Sequence, residues 1–263
     1  MKKILLGAMA LVTLGLAAPA SAADLAARPY TKAPPPMIAA IYDWSGFYIG
    51  INGGGGWSHK CWDRTNTAGV ILTPTDPTEG CHDASGAVAG GQIGYRWQAS
   101  SWVFGLEAQG DWADLKGSNT SGFDIIGARN QSRIDAFGLF TGQIGYAWNS
   151  ALLYVKGGAA VTGDHYRIFD IPSGVEFASA NETRWGGVVG AGVEFGFAPN
   201  WSVAFEYDHL FMGHRDVTFS GTGAFGFAPG AFVATDRIRQ DVDLATVRLN
   251  YRLNWGGPVI AKY

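Results

Sequence analysis

Charged residues are scarce in this sequence of 263 residues, in which Asp, Glu, Lys and Arg together contribute 16%. Average chains carry about 25% charged residues, so the composition is unlike that of a typical soluble enzyme. Long apolar runs are lacking too. Beyond the N-terminal segment there is no stretch of about 18 apolar residues, which predicts no transmembrane helix in the rest of the chain. The formal net charge of −3 gives no support to a nucleic-acid partner.

The N-terminal segment has the three parts of a secretory signal peptide. Residues 2–3 are lysines, residues 4–18 are apolar, and residues 20–22 read Ala-Ser-Ala. We predict that residues 1–22 are removed on export. Residues 23–43 are rich in proline, which lacks the amide proton that strand pairing needs. This segment is therefore predicted to be an extended periplasmic linker.

Cysteine is scarce as well, since the sequence has only Cys61 and Cys81. Both lie in one polar segment, and export places them in an oxidising compartment. We therefore predict a disulfide between them. His59 and His82 stand next to the two cysteines, but the spacing does not match a zinc site, and we predict no metal.

Glycine and aromatic residues are abundant, with 38 Gly, 10 Trp, 10 Tyr and 15 Phe. Residues 90–112 show how they are arranged. Apolar and polar residues alternate with period two on both sides of a short break at residues 98–101, as in two strands of a hairpin. Trp97 and Trp102 flank the break, while Arg96 and Glu107 lie on the opposite parity. Terminal aromatics, an apolar face and a polar face are typical of strands in an outer-membrane barrel.

Short turns recur near residues 98–101, 149–150 and 198–200, and residues 142–148 repeat residues 91–97 almost unchanged. This internal repeat predicts eight antiparallel strands, with short periplasmic turns at one end and four long extracellular loops at the other. The predicted strands are 44–57, 85–97, 102–112, a strand ending at 148, 151–163, 184–197, a strand starting at 201, and 239–255. The predicted loops are 58–83, 113–132, 164–181 and 213–236. The barrel then spans residues 44–255 and is followed by a tail at 256–263.

A soluble eight-stranded barrel is the alternative, and it would place the apolar parity inside, around a ligand. The charges of the polar parity and the aromatics at the strand ends favour the membrane barrel. In that barrel the polar parity forms a lumenal charge network, which holds Arg96, Glu107, Asp111, Lys156, Glu194, Glu206, Arg248 and Arg252. The interface aromatics are Trp44, Trp97, Trp102, Trp148, Trp201 and Trp255.

Several segments resemble the small porin-like and outer-membrane immunogenic proteins of alphaproteobacteria. They are the segment after the signal peptide, Trp44-Ser-Gly-Phe-Tyr-Ile-Gly, the repeated Gly-Gln-Ile-Gly-Tyr, and residues 247–255. The resemblance covers essentially the whole chain and is specific in the first and last strands. It implies an eight-stranded barrel related to the membrane domain of OmpA and to OmpX. It also implies an abundant envelope protein and surface antigen rather than an enzyme. Either Trp255 or Tyr263 would be the terminal aromatic that barrel assembly reads.

Three functions compete at this point: a structural envelope protein, a small passive porin, and a surface receptor for haemin or another ligand. Because an eight-stranded barrel is just filled by side chains, the inward charges predict a plugged lumen. The expected partners are outer-membrane lipids, lipopolysaccharide, the barrel-assembly machinery and periplasmic chaperones. Haemin binding would draw on the five histidines, predicted in or beside the loops, but no ligand spacing supports it and we predict no cofactor. We find no catalytic constellation, since Asp208-His209 has no second group that the sequence can place beside it.

Overall fold

The computed structural model describes residues 42–72, 79–122 and 127–253, and these form one closed antiparallel sheet. Eight long strands and one short strand make up the sheet: β1 Gly46–Thr67, β2 Val70–Ile71, β3 Gly80–Ala99, β4 Trp102–Thr120, β5 Ala128–Trp148, β6 Ala151–Asp170, β7 Glu176–Ala198, β8 Trp201–Gly221 and β9 Phe232–Leu253. Each long strand pairs with the next along the chain, and β9 pairs with β1 to close the barrel. Among the described residues there is no helix with the length and apolarity that a membrane crossing requires.

The three short turns lie where the sequence predicts them. Ala99 pairs with Trp102 and Trp148 pairs with Ala151, so only two residues connect the strands of each hairpin. Ser100 and Asn149 adopt positive φ angles of 58° and 51° within these turns. Such angles are uncommon outside glycine, but tight hairpin turns require them.

The strands extend further than predicted at the opposite end of the barrel. Much of each segment predicted to be a long loop is strand, as in β1, which continues through Cys61 to Thr67. β1 keeps its pairing with β3 as far as Trp62 and with β9 as far as Thr67. The barrel wall therefore extends well beyond the apolar belt on its outer surface.

Inward and outward residues alternate along every strand, as strand geometry requires. In the half of the barrel nearer the short turns, the outer wall is apolar and the inner wall is polar. The belt of exposed apolar side chains ends at Trp57, Trp112, Trp185 and Phe211. Beyond these residues the outer wall is mostly polar, and exposed apolar side chains recur only near the strand tips in the described residues, as at Ile71 and Phe232.

Candidate functional site

The inner wall carries a buried polar network that starts with a tyrosine and a glutamate. Tyr48, Gly94 and Glu107 are register partners on β1, β3 and β4. A Cβ at position 94 would lie 2.5 Å from the Tyr48 ring, so only glycine lets the ring lie flat across β3. The Tyr48 hydroxyl thereby reaches Glu107 and donates a hydrogen bond of 2.6 Å to its carboxylate.

The same arrangement occurs again on the other side of the barrel. Tyr154, Gly192 and Glu206 are register partners on β6, β7 and β8. A Cβ on Gly192 would lie 2.5 Å from the Tyr154 ring, and the Tyr154 hydroxyl donates a 2.6 Å hydrogen bond to Glu206. The lumen therefore contains two matching tyrosine–glutamate pairs.

Two cations join these pairs across the lumen. Arg248 contacts both carboxylates: its Nη2 lies 2.7 Å from Glu107 and its Nη1 donates to Glu206. Lys156 Nζ lies 2.6 Å from Glu206 and 3.6 Å from Glu107. All four side chains are buried. Because buried charges persist only when they are paired and hydrogen-bonded, each of these groups depends on the others.

A second ion pair lies nearer the short turns. Arg96 Nη2 is 2.8 Å from Glu194, and its guanidinium stands 4.4 Å from the centroid of the Tyr48 ring. Asn250 also donates to Glu194, at 3.0 Å. Seven of the eight predicted lumenal charges are thus buried inside the barrel. The eighth, Arg252, lies at the end of the lumen beside the short turns, with 11% of its side chain exposed and 3.2 Å from the carboxylate of Asp43.

The network has further members that the sequence did not predict. They are Tyr48, Tyr154 and Asp208, all of which have inward parity. Asp208 lies 3.3 Å from Lys156 Nζ. Asp111, which was selected, accepts a 2.7 Å hydrogen bond from Gln109. Strand parity places all of these residues on the inner wall, but it does not show which of them meet across the lumen.

An apolar layer closes the lumen above the network. Residues from seven strands form it: Val88, Ala113, Leu115, Ile134, Phe137, Leu139, Ala160, Val188, Leu210, Met212, Val242 and Leu244. The remaining strand, β1, contributes Gly56 of its glycine run. A Cβ there would lie 2.8 Å from Leu244 and 3.1 Å from Leu115. The glycine run thus gives these side chains the space in which to meet.

Further polar and apolar groups fill the barrel beyond this layer. Lys60 and Asp164 form a fully buried ion pair of 3.0 Å. Above it Trp62 packs against the rings of Tyr166 and Phe219, each 5.4 Å away between centroids. Arg64 then pairs with Glu79 at 2.5 Å and with Asp236. Every level of the lumen is therefore occupied by side chains.

A cavity of about 300 Å³ lies near the end of the barrel that carries the strand extensions. Apolar side chains supply most of its lining, among them Phe177, Phe225 and Phe227. The polar side chains Arg64 and Asp170 also line it. None of the five histidines, all of which lie in the described part of the chain, is among its lining residues.

Most of the predicted interface tryptophans lie on the outer wall beside the short turns. Trp97, Trp102, Trp148 and Trp201 are exposed there by 40–54%. Trp44 is a correction, because only 3% of it is exposed. It packs inside the barrel end with Val103, Ala147, Leu152 and Tyr154. Trp44 precedes β1 rather than belonging to it, so strand parity does not determine its direction. Trp255 and Tyr263 lie outside the described residues.

The cysteines form the predicted disulfide, with an S–S distance of 2.05 Å. Cys61 and Cys81 are direct register partners on β1 and β3. His59 lies beside them, but oxidised cysteines lack the thiolates that zinc binds. His59, His82, His165 and His214 were predicted in loops and lie on strands instead, which corrects the prediction, whereas His209 lies on a strand as predicted. His209 is on the outer wall while Asp208 faces the lumen, so the two cannot act together.

The sequence matches the model of the outer membrane protein beta-barrel domain over residues 8–228. This chain belongs to the outer-membrane β-barrel family. The 31 kDa outer-membrane immunogenic protein of Brucella melitensis is 28% identical over 226 residues, which cover 82% of this chain and 90% of that protein. The 22 kDa outer membrane protein of Rhizobium leguminosarum is 29% identical over 141 residues, which cover 52% of this chain and 60% of that protein.

Solved barrels of other bacteria show a more distant likeness to this outer-membrane barrel. OprG of Pseudomonas aeruginosa is 14% identical, with a TM-score of 0.46, and the match covers 80% of this chain and 97% of that one. The protease OmpT of Escherichia coli is 9% identical, with a TM-score of 0.45, and the match covers 79% of this chain and 97% of that one.

Membership of this family places the barrel in the outer membrane. The outer-membrane barrel lies in a lipid bilayer that contains lipopolysaccharide, so its apolar belt faces lipid. Its short turns are periplasmic, and the extended strand ends are extracellular, as in other barrels of this type.

Proposed function

We propose that this outer-membrane barrel is a sealed structural protein of the envelope, and that its extracellular strand extensions form a surface for interactions. The observation that carries the proposal is the continuous filling of the lumen. The charge network, the apolar layer and the Trp62 cluster follow one another along the axis. Small barrels are just filled by side chains, and water needs polar partners to occupy an apolar constriction.

The same geometry supports a role without catalysis. Each lumenal carboxylate of the network serves an ion pair or a hydrogen bond, and Asp208 and His209 face opposite sides of the wall. Binding to the barrel-assembly machinery and to periplasmic chaperones remains a prediction from the sequence.

Planar-bilayer recording of the purified barrel tests the sealed lumen. We expect no unitary conductance steps from the native protein. A matched variant, Leu115→Ala with Leu244→Ala, removes bulk from the apolar layer and should give small intermittent steps. Both proteins must first show the heat-dependent gel shift of a folded barrel. Clear, reproducible steps from the native protein would contradict the proposal and favour a passive porin.

A second candidate function is that of a surface receptor, and the extracellular cavity favours it. Its lining is mostly apolar, as in known ligand sites, and its volume lies at the small end of their range. The cavity is a poor site for haemin, because side chains such as histidine bind haem iron and no histidine lines this cavity. We expect titration to leave the haemin spectrum unchanged. A saturable spectral shift at equimolar haemin would instead favour the receptor.

A further inference from the structure

The outer wall carries a small hollow that is lined by basic and amide side chains. Its volume is about 70 Å³, and it is lined by Lys116, Gln131, Arg133, His165 and Arg167. Ammonium, guanidinium, amide and imidazole groups all carry N–H donors. A lining of this kind favours an anion with several acceptor oxygens, because charge-assisted hydrogen bonds are stronger than neutral ones.

The sheet register brings these side chains together. Lys116 pairs with Arg133, and Arg133 pairs with His165, so β4, β5 and β6 place three basic side chains in one row. Gln131 pairs with Arg167 in the next row. The side chains of Lys116, Arg133 and Arg167 are 51%, 40% and 53% exposed. The hollow therefore opens on the outside of the barrel and not into its mouth.

The hollow lies just beyond the lipid-facing belt. On β4 the belt ends at Trp112, and Lys116 follows on the same outward face. Strands rise about 3.3 Å per residue, so Lys116 lies roughly 13 Å further along a tilted strand. At this height the wall meets the headgroups of the outer leaflet, where phosphate groups stand above the acyl chains.

Carboxylates beside the hollow hold the basic side chains in place. Asp114 lies 2.8 Å from Lys116 Nζ and 3.1 Å from Arg133 Nε. Asp135 lies 2.7 Å from His165 Nε2. Lysine has three N–H donors and arginine has five, so both keep donors for a second acceptor.

The basic row of β4–β6 lies just beyond the lipid-facing belt. On β1, β3 and β9 the same boundary carries carboxylates instead, namely Asp83, Asp241 and Asp243. His59 lies 2.6 Å from Asp83, and His209 lies 2.7 Å from Asp243. Exposed arginines also occur on β8 and β9, where Arg237 donates two hydrogen bonds to Asp216. On β4–β6 the basic side chains share one hollow, which can surround an anionic headgroup.

We propose that the hollow on β4–β6 binds a phosphate group of lipopolysaccharide and so fixes one glycolipid against the barrel. Basic side chains at a membrane surface attract anionic headgroups by about 1 kcal/mol each. The proposal goes beyond the sealed lumen and does not depend on it.

The test measures binding of hexaacyl lipid A bisphosphate to the full-length mature barrel in detergent micelles. The variant Lys116→Gln, Arg133→Gln, Arg167→Gln should bind at least about tenfold more weakly than the native protein. The matched control, Arg215→Gln, Arg237→Gln, Arg239→Gln, removes three exposed arginines from β8 and β9 and should bind as the native protein does.

Both triple variants must show the heat-dependent gel shift of a folded barrel. Dephosphorylated lipid A should bind the native protein weakly and should not distinguish it from the β4–β6 variant. Equal binding of lipid A by that variant and the native protein would overturn the proposal. So would inorganic phosphate that competes at the same concentration as lipid A, because the lipid would then not be the occupant.

Discussion

The two halves of the barrel place their apolar residues on opposite faces of the same strands. On β9, Val247 faces lipid and Arg248 is buried in the lumen. Nearer the extracellular end of the same strand, Val242 is buried and Arg237 is exposed. The apolar parity changes face between Leu244 and Ala245, at the edge of the belt. The wall is apolar on its outer face where lipid surrounds it and on its inner face where water surrounds it. One continuous strand meets both requirements.

The halves therefore depend on different interactions. The membrane half holds its strands around buried ion pairs, whose desolvation is costly and must be offset by mutual attraction and hydrogen bonds. The extracellular half also contains ion pairs, such as Lys60–Asp164, but it adds a core like that of a soluble protein, in which the Trp62 cluster removes apolar surface from water. We expect substitutions in the membrane half to destabilise the whole barrel and substitutions in the extracellular half to act locally.

The largest effect is expected from Arg248→Met. This change leaves Glu107 and Glu206 with Lys156 as their only shared cation, and removing one partner of a buried pair costs about 3–5 kcal/mol. Urea unfolding in lipid vesicles measures the loss. Arg237→Gln, in an exposed pair with Asp216, should change the free energy of unfolding by less than about 1 kcal/mol. Similar losses from both variants would refute a special role for the network.

A comparable but local effect is expected from Trp62→Ala. Truncating a buried tryptophan costs about 3–5 kcal/mol, and Trp62 is fully buried in the extracellular cluster. The strand ends should become sensitive to protease while the heat-dependent gel shift of the barrel persists. Trp112→Ala on the lipid-facing wall serves as the control and should leave protease resistance unchanged. Loss of the gel shift in Trp62→Ala would show that the two halves unfold together.

A smaller effect is expected from Gly94→Ala. The new Cβ would meet the Tyr48 ring, and overpacking of this kind costs about 1–3 kcal/mol. Gly110→Ala is a close control, because a Cβ there meets no atom within 4 Å. Unfolding midpoints in urea should separate the two variants, and equal midpoints would argue against the close approach of Tyr48.

The smallest effect concerns pH in the extracellular half. Burial raises the pKa of Asp236 to about 6, so its contribution to stability is present below the unfolded value of about 4 and is lost as pH rises through 6. Burial lowers the pKa of His82 to about 4, so its contribution is present above about 6.5 and is lost as pH falls through 4. The two contributions oppose each other over this range.

Single substitutions should separate these contributions. Asp236→Asn leaves the contribution of His82, so protease resistance of the extracellular half should increase from pH 4 to pH 7. His82→Gln should produce the opposite slope. Identical slopes in both variants would contradict the assignment.

The difference between the halves also explains what the sequence could reveal. In the membrane half an apolar outward face and a polar inward face repeat from strand to strand, and this pattern predicts the barrel, its turns and most of its lumenal charges. Beyond the belt the apolar residues move to the other parity and the outward face becomes polar. A polar segment interrupted by isolated apolar residues, as in residues 58–67, then resembles a loop.

Contacts between distant strands could not be predicted from the sequence for another reason. Lys60 and Asp164 are 104 residues apart, and their pairing depends on where the barrel curvature brings β1 and β6. Periodicity states which face a side chain occupies, but not which partner it meets across the lumen. The inward direction of the Trp44 side chain was not predicted, because Trp44 precedes β1 and strand parity does not apply to it.

The paired tyrosines give the lumen an internal repeat. Tyrosine, glycine and glutamate occupy matching register positions on β1, β3 and β4 and again on β6, β7 and β8. Two sets of adjacent strands therefore each carry one tyrosine–glutamate pair, and Arg248 and Lys156 connect the two sets across the lumen. The ring is thus closed twice, by the hydrogen bonds of its wall and by the ion pairs of its interior.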